Sequence, residues 1–318
     1  MLNRITAHPL PAGLLSAGLL LLPLWFPLLT PIQAAMPLPL LLVALRCGNR
    51  AGWMAVAVLL VCAGWVGGGA LFPLAVFLLF ASFPLLAAGM LRAGWRTSQV
   101  ALVAFLTGNL VLLALLGWAM LGGVDMPASL AREMDGLKEE VLTALTARGM
   151  GAVPLAEFRT SLDRLIALVS LLLPAMVLTS WFLIQVGNLL VARSLIGRWG
   201  ERRIADEVLT EMRLPFALVW MVIAMGLLAM FGHGALRHLG INWGIFLAMP
   251  YFFQGLAIIQ RALQWYNVGG FARGVLFTAL FFWTGMVLLV LLIGLFDTWI
   301  DFRLRFFHNR EGQTPSGR

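Results

Sequence analysis

Asp297 and Asp301 stand four residues apart near the end of a long apolar run, and Arg305 continues the same helical stripe. An Asp-x-x-x-Asp pair can hold a magnesium ion against a diphosphate, but that chemistry draws on further aspartates in a second motif. No second acidic cluster lies at membrane depth in this sequence. HExxH, GxSxG, a phosphate-binding glycine loop and Cys/His metal spacings are all missing. The four histidines, His8, His233, His238 and His308, fall in loops or near chain ends. Cys47 and Cys62 suggest no disulfide framework and read as inert thiols. The sequence therefore predicts no catalytic residue, no metal site, no cofactor and no enzyme. The economical reading of the acidic pair is a helix-end anchor. Trp299, Phe302 and Phe306 form an aromatic belt, Arg305 pairs with Asp301, and Asp297 at the headgroup boundary takes a partner from a neighbouring helix. A functional coupling or partner site is the alternative.

Neutral polarity is the other chemical resource. Asn109, Gln185, Asn188 and Gln254 lie inside apolar runs, and Gln185 and Asn188 share a helical face because they are three apart. An amide in lipid must find partners, each inter-helix hydrogen bond contributing about 0.6–2 kcal/mol. Either the four amides bind helices together, or they line a small polar pocket for which Trp181, one turn before Gln185, supplies an aromatic wall. No acidic or histidine relay runs through the predicted spans, which disfavours a proton or sodium pump.

The elements that must position these residues are membrane helices. Of 318 residues 61% are hydrophobic and 11% charged, with a mean hydropathy of +0.93. A soluble domain carries roughly a quarter charged residues, so this chain must be solvated by lipid. At about 20 residues per crossing, spans fall near 10–30, 51–67, 71–91, 98–121, 165–192, 214–232, 241–262 and 271–296, with a short segment at 36–45. The fold class is thus all-α, a polytopic integral membrane protein with 8–9 transmembrane helices. If the short segment crosses, Arg4, Arg46, Arg50, Arg92 and Arg96 share one side, the pattern of a cytoplasmic N-terminus. Nine crossings would then put the basic tail outside, unless a late segment broken by Pro250 is re-entrant. Lys138 is the only lysine among 22 basic residues, and the arginines sit in short loops. Membrane lipid, not nucleic acid, is the partner they imply. The first apolar run, about 20 residues, exceeds a signal-peptide core of roughly 7–15 and reads as a retained helix.

Two hydrophilic stretches divide the chain. In residues 122–164, Leu130, Met134, Leu137, Val141 and Leu145 recur at helical spacing among charged residues, predicting an amphipathic helix that stops near Gly149 and Gly151. It reads as a helix lying on the membrane or on the ends of other spans, with a lid or a docking face as the alternatives. Residues 193–213 mix arginines with acids and read as a cytoplasmic linker. This gives a membrane block at 1–192, the linker at 193–213, a C-terminal block at 214–306 and a disordered tail at 307–318. Small residues at four-residue spacing, Gly64 with Gly68, Ala12 with Ser16 and Gly13 with Ala17, mark faces for close helix packing. On the first helix they also offer a surface for a possible protein partner subunit.

Three stretches, "RLPFALVW" (213–220), "PYFFQGLAIIQ" (250–260) and "LLIGLFDTWIDFR" (291–303), resemble the YybS-like bacterial membrane proteins, a domain-of-unknown-function family. In that family the Gln-Gly pair and the Asp…Asp-Phe-Arg ending recur. Here they fall on Gln254, Gly255, Asp297, Asp301, Phe302 and Arg303. The layout of the first six spans is similar to the substrate-binding subunits of energy-coupling-factor transporters, whose first helix often carries an AxxxA docking surface. The resemblances imply a bacterial inner (cytoplasmic) membrane protein with an outward-facing pocket. The expected function is binding or transport of a small, largely uncharged molecule. The alternative is a membrane scaffold or assembly partner, and an intramembrane enzyme ranks third.

Overall fold

The structure, a computed structural model, describes residues 5–67, 69–121, 126–149, 151–199, 214–282, 284–302 and 305. These residues form helices and turns without a strand. Among the described residues six helices are long and apolar enough to cross a membrane, and three shorter apolar helices accompany them. Large side chains such as Leu14, Trp53, Val61, Trp65 and Leu110 are exposed on their outer faces. Water would not tolerate so much apolar surface, whereas lipid solvates it. The chain is an all-α polytopic membrane protein. It divides into two compact units, the first made of residues 1–89 and 104–195, the second of 90–103 and 196–318.

In the first unit α1 (Pro9–Trp25) leads into a 3₁₀ segment (Pro27–Ala35), α2 (Pro37–Cys47) and α3 (Asn49–Gly67). Helix α2 is apolar all round until Arg46, and every residue from Leu40 to Ala44 is at most 1% exposed. It is therefore the centre of this unit. Gly48, at φ +99°, ends it where a side chain would be strained. A Cβ on Gly13 would come within 2.8 Å of Val58 Cβ, so α1 lies directly on α3. Ala12, Gly13, Ser16 and Ala17 are all buried there. The face that reads as a close-packing surface, and alternatively as a docking face for a partner subunit, packs against the chain's own α3, because glycine and alanine let the two backbones meet within the unit.

After α4 (Leu71–Val76) the chain makes a wide π-helical turn (Phe77–Ala81) and continues as α5 (Ser82–Arg92) and α6 (Thr97–Leu121). Helix α7 (Met126–Ala147) is the amphipathic helix of the hydrophilic stretch, followed by Gly149 at φ +80°. Helix α8 (Ala152–Arg198) has 47 residues, about 70 Å, more than twice a bilayer core of roughly 30 Å. Its first turns pair with α7 as a hairpin through Lys138–Asp163 and Arg159–Glu139. A cleft of about 670 Å³, lined by Leu142, Thr146, Leu155 and Arg159 among others, lies between them. The hairpin covers Leu142 but leaves Leu137 and Val141 of the apolar stripe exposed.

The second unit is organised around α10 (Ala235–Trp265). The helix is continuous through Pro250, so the expected re-entrant break at that proline does not occur. Gly240 meets the backbone of α9 (Ala217–Phe231), and Gly255 meets Val290 of α12 (Thr284–Ile300). The span expected at 271–296 is helical on both sides of residue 283, as α11 (Gly270–Phe282) and α12, and residue 283 itself lies outside the described residues. Arg273 holds the start of α11 to the end of α10 by donating to the Val268 and Leu263 carbonyls.

Candidate functional site

In the first unit, three of the amphipathic side chains converge on irregular backbone. The Leu79 carbonyl, inside the π-turn, accepts from Trp181 Nε1 at 2.5 Å and from Gln185 Nε2 at 2.9 Å. A wide turn disrupts the regular hydrogen-bond ladder, and two side chains of α8 serve this carbonyl. Asn188 Nδ2 donates to Ala34, at the end of the 3₁₀ segment, and to Ile184 on its own helix. Gln33 Nε2 holds the other end of that segment through the Leu20 carbonyl. Asn109 Nδ2 donates to Phe105, one turn back on α6. All four donating amides thus serve the main chain.

Their acceptors are not used in the same way. Gln185 is 1% exposed, yet its Oε1 has no hydrogen-bond partner among the described residues, and Asn109 Oδ1 is likewise buried and unpartnered. The surroundings are aromatic: Trp181 packs edge-on against Phe83, and Phe105 against Phe182. Trp181, Gln185 and Asn188 share one helix face, but only Trp181 and Gln185 meet at a common atom.

Gln254 belongs to the second unit and has a different task. Its Nε2 donates to Asp297 Oδ2 at 2.9 Å, and its Oε1 accepts the Leu214 N–H at 3.2 Å. The other carboxylate oxygen, Oδ1, accepts the Phe302 N–H at 2.9 Å. Helix α12 has just ended there, with Asp301 at φ +48°, a left-handed conformation that aspartate tolerates better than most residues. The carboxylate thus takes up a main-chain donor that the helix end would leave open. The approach to α9, the middle of α10 and the end of α12 are joined by one polar chain. Gln254 is 3% exposed and Asp297 7%, so both are buried within the unit, and Asp297 takes its partner from a neighbouring helix. Gln254 and Asp297 are 43 residues apart, and no local spacing signals their pairing.

Chemically this centre suits donors rather than a metal ion. The carboxylate faces N–H groups, whereas a cation would need further oxygen ligands. No group of three metal-binding side chains occurs among the described residues. Asp301 ends the helix, so the continuous stripe from Asp297 to Arg305 is interrupted. Arg305 is exposed, with its N–H on the Asp301 carbonyl, and Arg303 lies outside the described residues, as do Phe306 and the tail at 307–318. Thr179 was missed by sequence reasoning. Helical threonines are ordinary, and only its buried, unpartnered hydroxyl singles it out.

Comparison with curated proteins found no match, and neither did comparison with solved structures. A family profile described as "Predicted membrane protein (DUF2232)" matches residues 14–298. That span contains α12 through Asp297 and the whole of α10, including the Gln254–Gly255 pair. The match is consistent with the YybS-like resemblance of the C-terminal motifs. The chain belongs to the predicted membrane protein family DUF2232.

Proposed function

We propose that the protein is a non-enzymatic, multi-pass protein of the bacterial inner membrane that binds, and in moving it transports, a small and largely uncharged molecule. One observation carries this reading. The Gln185 Oε1 is buried and unpartnered beside aromatic walls, although its own Nε2 is bonded to the Leu79 carbonyl. An unpaired buried acceptor costs about 1–3 kcal/mol, so a partner that fills it is favoured. Such a molecule would meet amides and aromatic rings, while Lys138, Asp163, Arg159 and Glu139 of the α7–α8 hairpin pair with one another. The test is a thermal-shift screen of purified protein against neutral metabolites. At least one should raise the melting temperature of the native chain and fail to do so for Gln185→Leu. Stabilisation that persists undiminished in Gln185→Leu would sink the assignment to this site.

A second reading, as a membrane assembly partner, is favoured by the uncovered ridge of Leu137 and Val141 on α7. Recovery from native membranes as a lone monomer would remove it.

A further inference from the structure

Five helical hydroxyls of this protein follow a rule that Thr179, like Ser16 and Thr298, breaks. Thr143, Thr146, Thr160, Ser161 and Ser82 each return their hydroxyl to the carbonyl four residues earlier on the same helix. This is the ordinary way a helix absorbs a hydroxyl. Thr179, in the middle of α8, has a buried Oγ1 with no partner among the described residues.

Its position connects it to the two orphan amide oxygens. Phe105 of α6 meets Phe182 of α8 at 6.2 Å between ring centroids, edge to face. Asn109 lies four residues beyond Phe105, whereas Thr179 and Gln185 lie three residues either side of Phe182. Each is therefore within about 6 Å of axial rise of one ring contact. On α8 Thr179 and Gln185 flank Phe182 on either side, about 120° apart around the helix and about 9 Å apart along it. One seam of the first unit thus carries three buried polar atoms that nothing among the described residues satisfies: Asn109 Oδ1, Thr179 Oγ1 and Gln185 Oε1.

These atoms share a chemical bias. Both amides give an N–H to a main-chain carbonyl, of Phe105 and Leu79, and the atom each leaves buried without a partner is its carbonyl oxygen. The threonine hydroxyl can accept as well as donate. We infer that the α6–α8 seam is a site for a neutral molecule bearing at least two N–H or O–H donors on a flat apolar body. The donors face the amide oxygens and the hydroxyl, and the body lies among Phe105, Trp181 and Phe182. This rests on the small-molecule reading above and names the class of ligand. A carboxylate or phosphate would set its charge against carbonyl oxygens, and an aprotic apolar molecule would leave all three atoms unpaired.

The test uses the full chain in detergent with two probes, benzamide and N,N-dimethylbenzamide, which share a ring and carbonyl but differ in N–H donors. Benzamide should raise the melting temperature, and the dimethyl compound should not. Thr179→Val, nearly isosteric, should raise the melting temperature of the ligand-free protein by removing an orphan hydroxyl. It should also weaken benzamide binding about tenfold, the equivalent of one lost hydrogen bond. Gln185→Leu remains foldable because Trp181 still serves Leu79, and it should weaken binding by a similar factor. Equal stabilisation by both amides would overturn the donor class while leaving a neutral-ligand site. Stabilisation by neither, with Thr179→Val no more stable than the native chain, would overturn the ligand class and the seam together.

Discussion

Replacing Gly294 by alanine is expected to destabilise the second unit by about 3 kcal/mol or more, at the upper end of overpacking costs. The added methyl would collide with the Tyr251 carbonyl oxygen and lie 2.7 Å from the Gly255 nitrogen. Both obstacles are main chain of α10, so no rotamer change makes room. The helices must separate, and separation also stretches the 2.9 Å Gln254–Asp297 bond that crosses the same interface. Gly226 on α9 is the control. A Cβ there meets nothing within 4 Å, and alanine removes backbone freedom from the unfolded chain. Gly226→Ala should be neutral or stabilising by about 0.5–1 kcal/mol. Tryptophan-fluorescence melting of the two variants in detergent compares them directly. Equal midpoints would show that α10 and α12 do not cross at these glycines.

Part of this interface is legible in the sequence. The Gln254–Gly255 pair and the Asp297–Asp301 ending stand out as recurrent motifs. Their connection does not stand out, because a bond between residues 43 positions apart leaves no periodic trace. Gln254 reads equally well as a pocket amide, and only the fold assigns it to Asp297. The unused valence of Asp297 is readable as a demand for a partner from another helix, and the partner is an amide. The role of Gly255 was invisible for a different reason. It depends on backbone contact, which one-dimensional spacing suggests only for repeated small residues on one helix, whereas here a single glycine from each of two helices makes the crossing.

The irregular segments explain the other gap. Apolar composition marks residues 71–91 as a span, and the structure keeps it helical, but the π-turn at Phe77–Ala81 has no compositional signature. Without it, Trp181 and Gln185 have no carbonyl to serve, and their meeting at Leu79 cannot be anticipated. The same holds for Asn188, whose acceptor belongs to the 3₁₀ segment. Helix existence follows from lipid solvation and is readable. Where a helix departs from regularity depends on what packs beside it, so the polar residues that repair the departure look like free pocket residues until the fold is known.

The Gln254–Asp297 chain has a fixed direction, and a reciprocal exchange can test it. Phe302 N–H points to Asp297, Gln254 Nε2 points to Asp297, and Leu214 N–H points to Gln254 Oε1. In Asp297→Asn the new side chain can still accept from Phe302, but its amino group must face an acceptor. If Gln254 flips to provide one, its own amino group meets the Leu214 N–H. One donor–donor clash survives either way, at a cost of about 1–3 kcal/mol. Gln254→Glu alone sets two carboxylates against each other and should cost at least as much. Together the two changes restore the pattern. The glutamate introduced on α10 accepts from Leu214 and from the asparagine introduced on α12, and that asparagine accepts from Phe302. The double variant should recover at least half of the loss summed over the single variants, a coupling readable from melting midpoints in a double-mutant cycle. Additive losses would mean that the two side chains do not form one directed chain. Recovery would establish that the carboxyl group can sit on either helix, and that what holds α9, α10 and α12 together is the order of donors and acceptors.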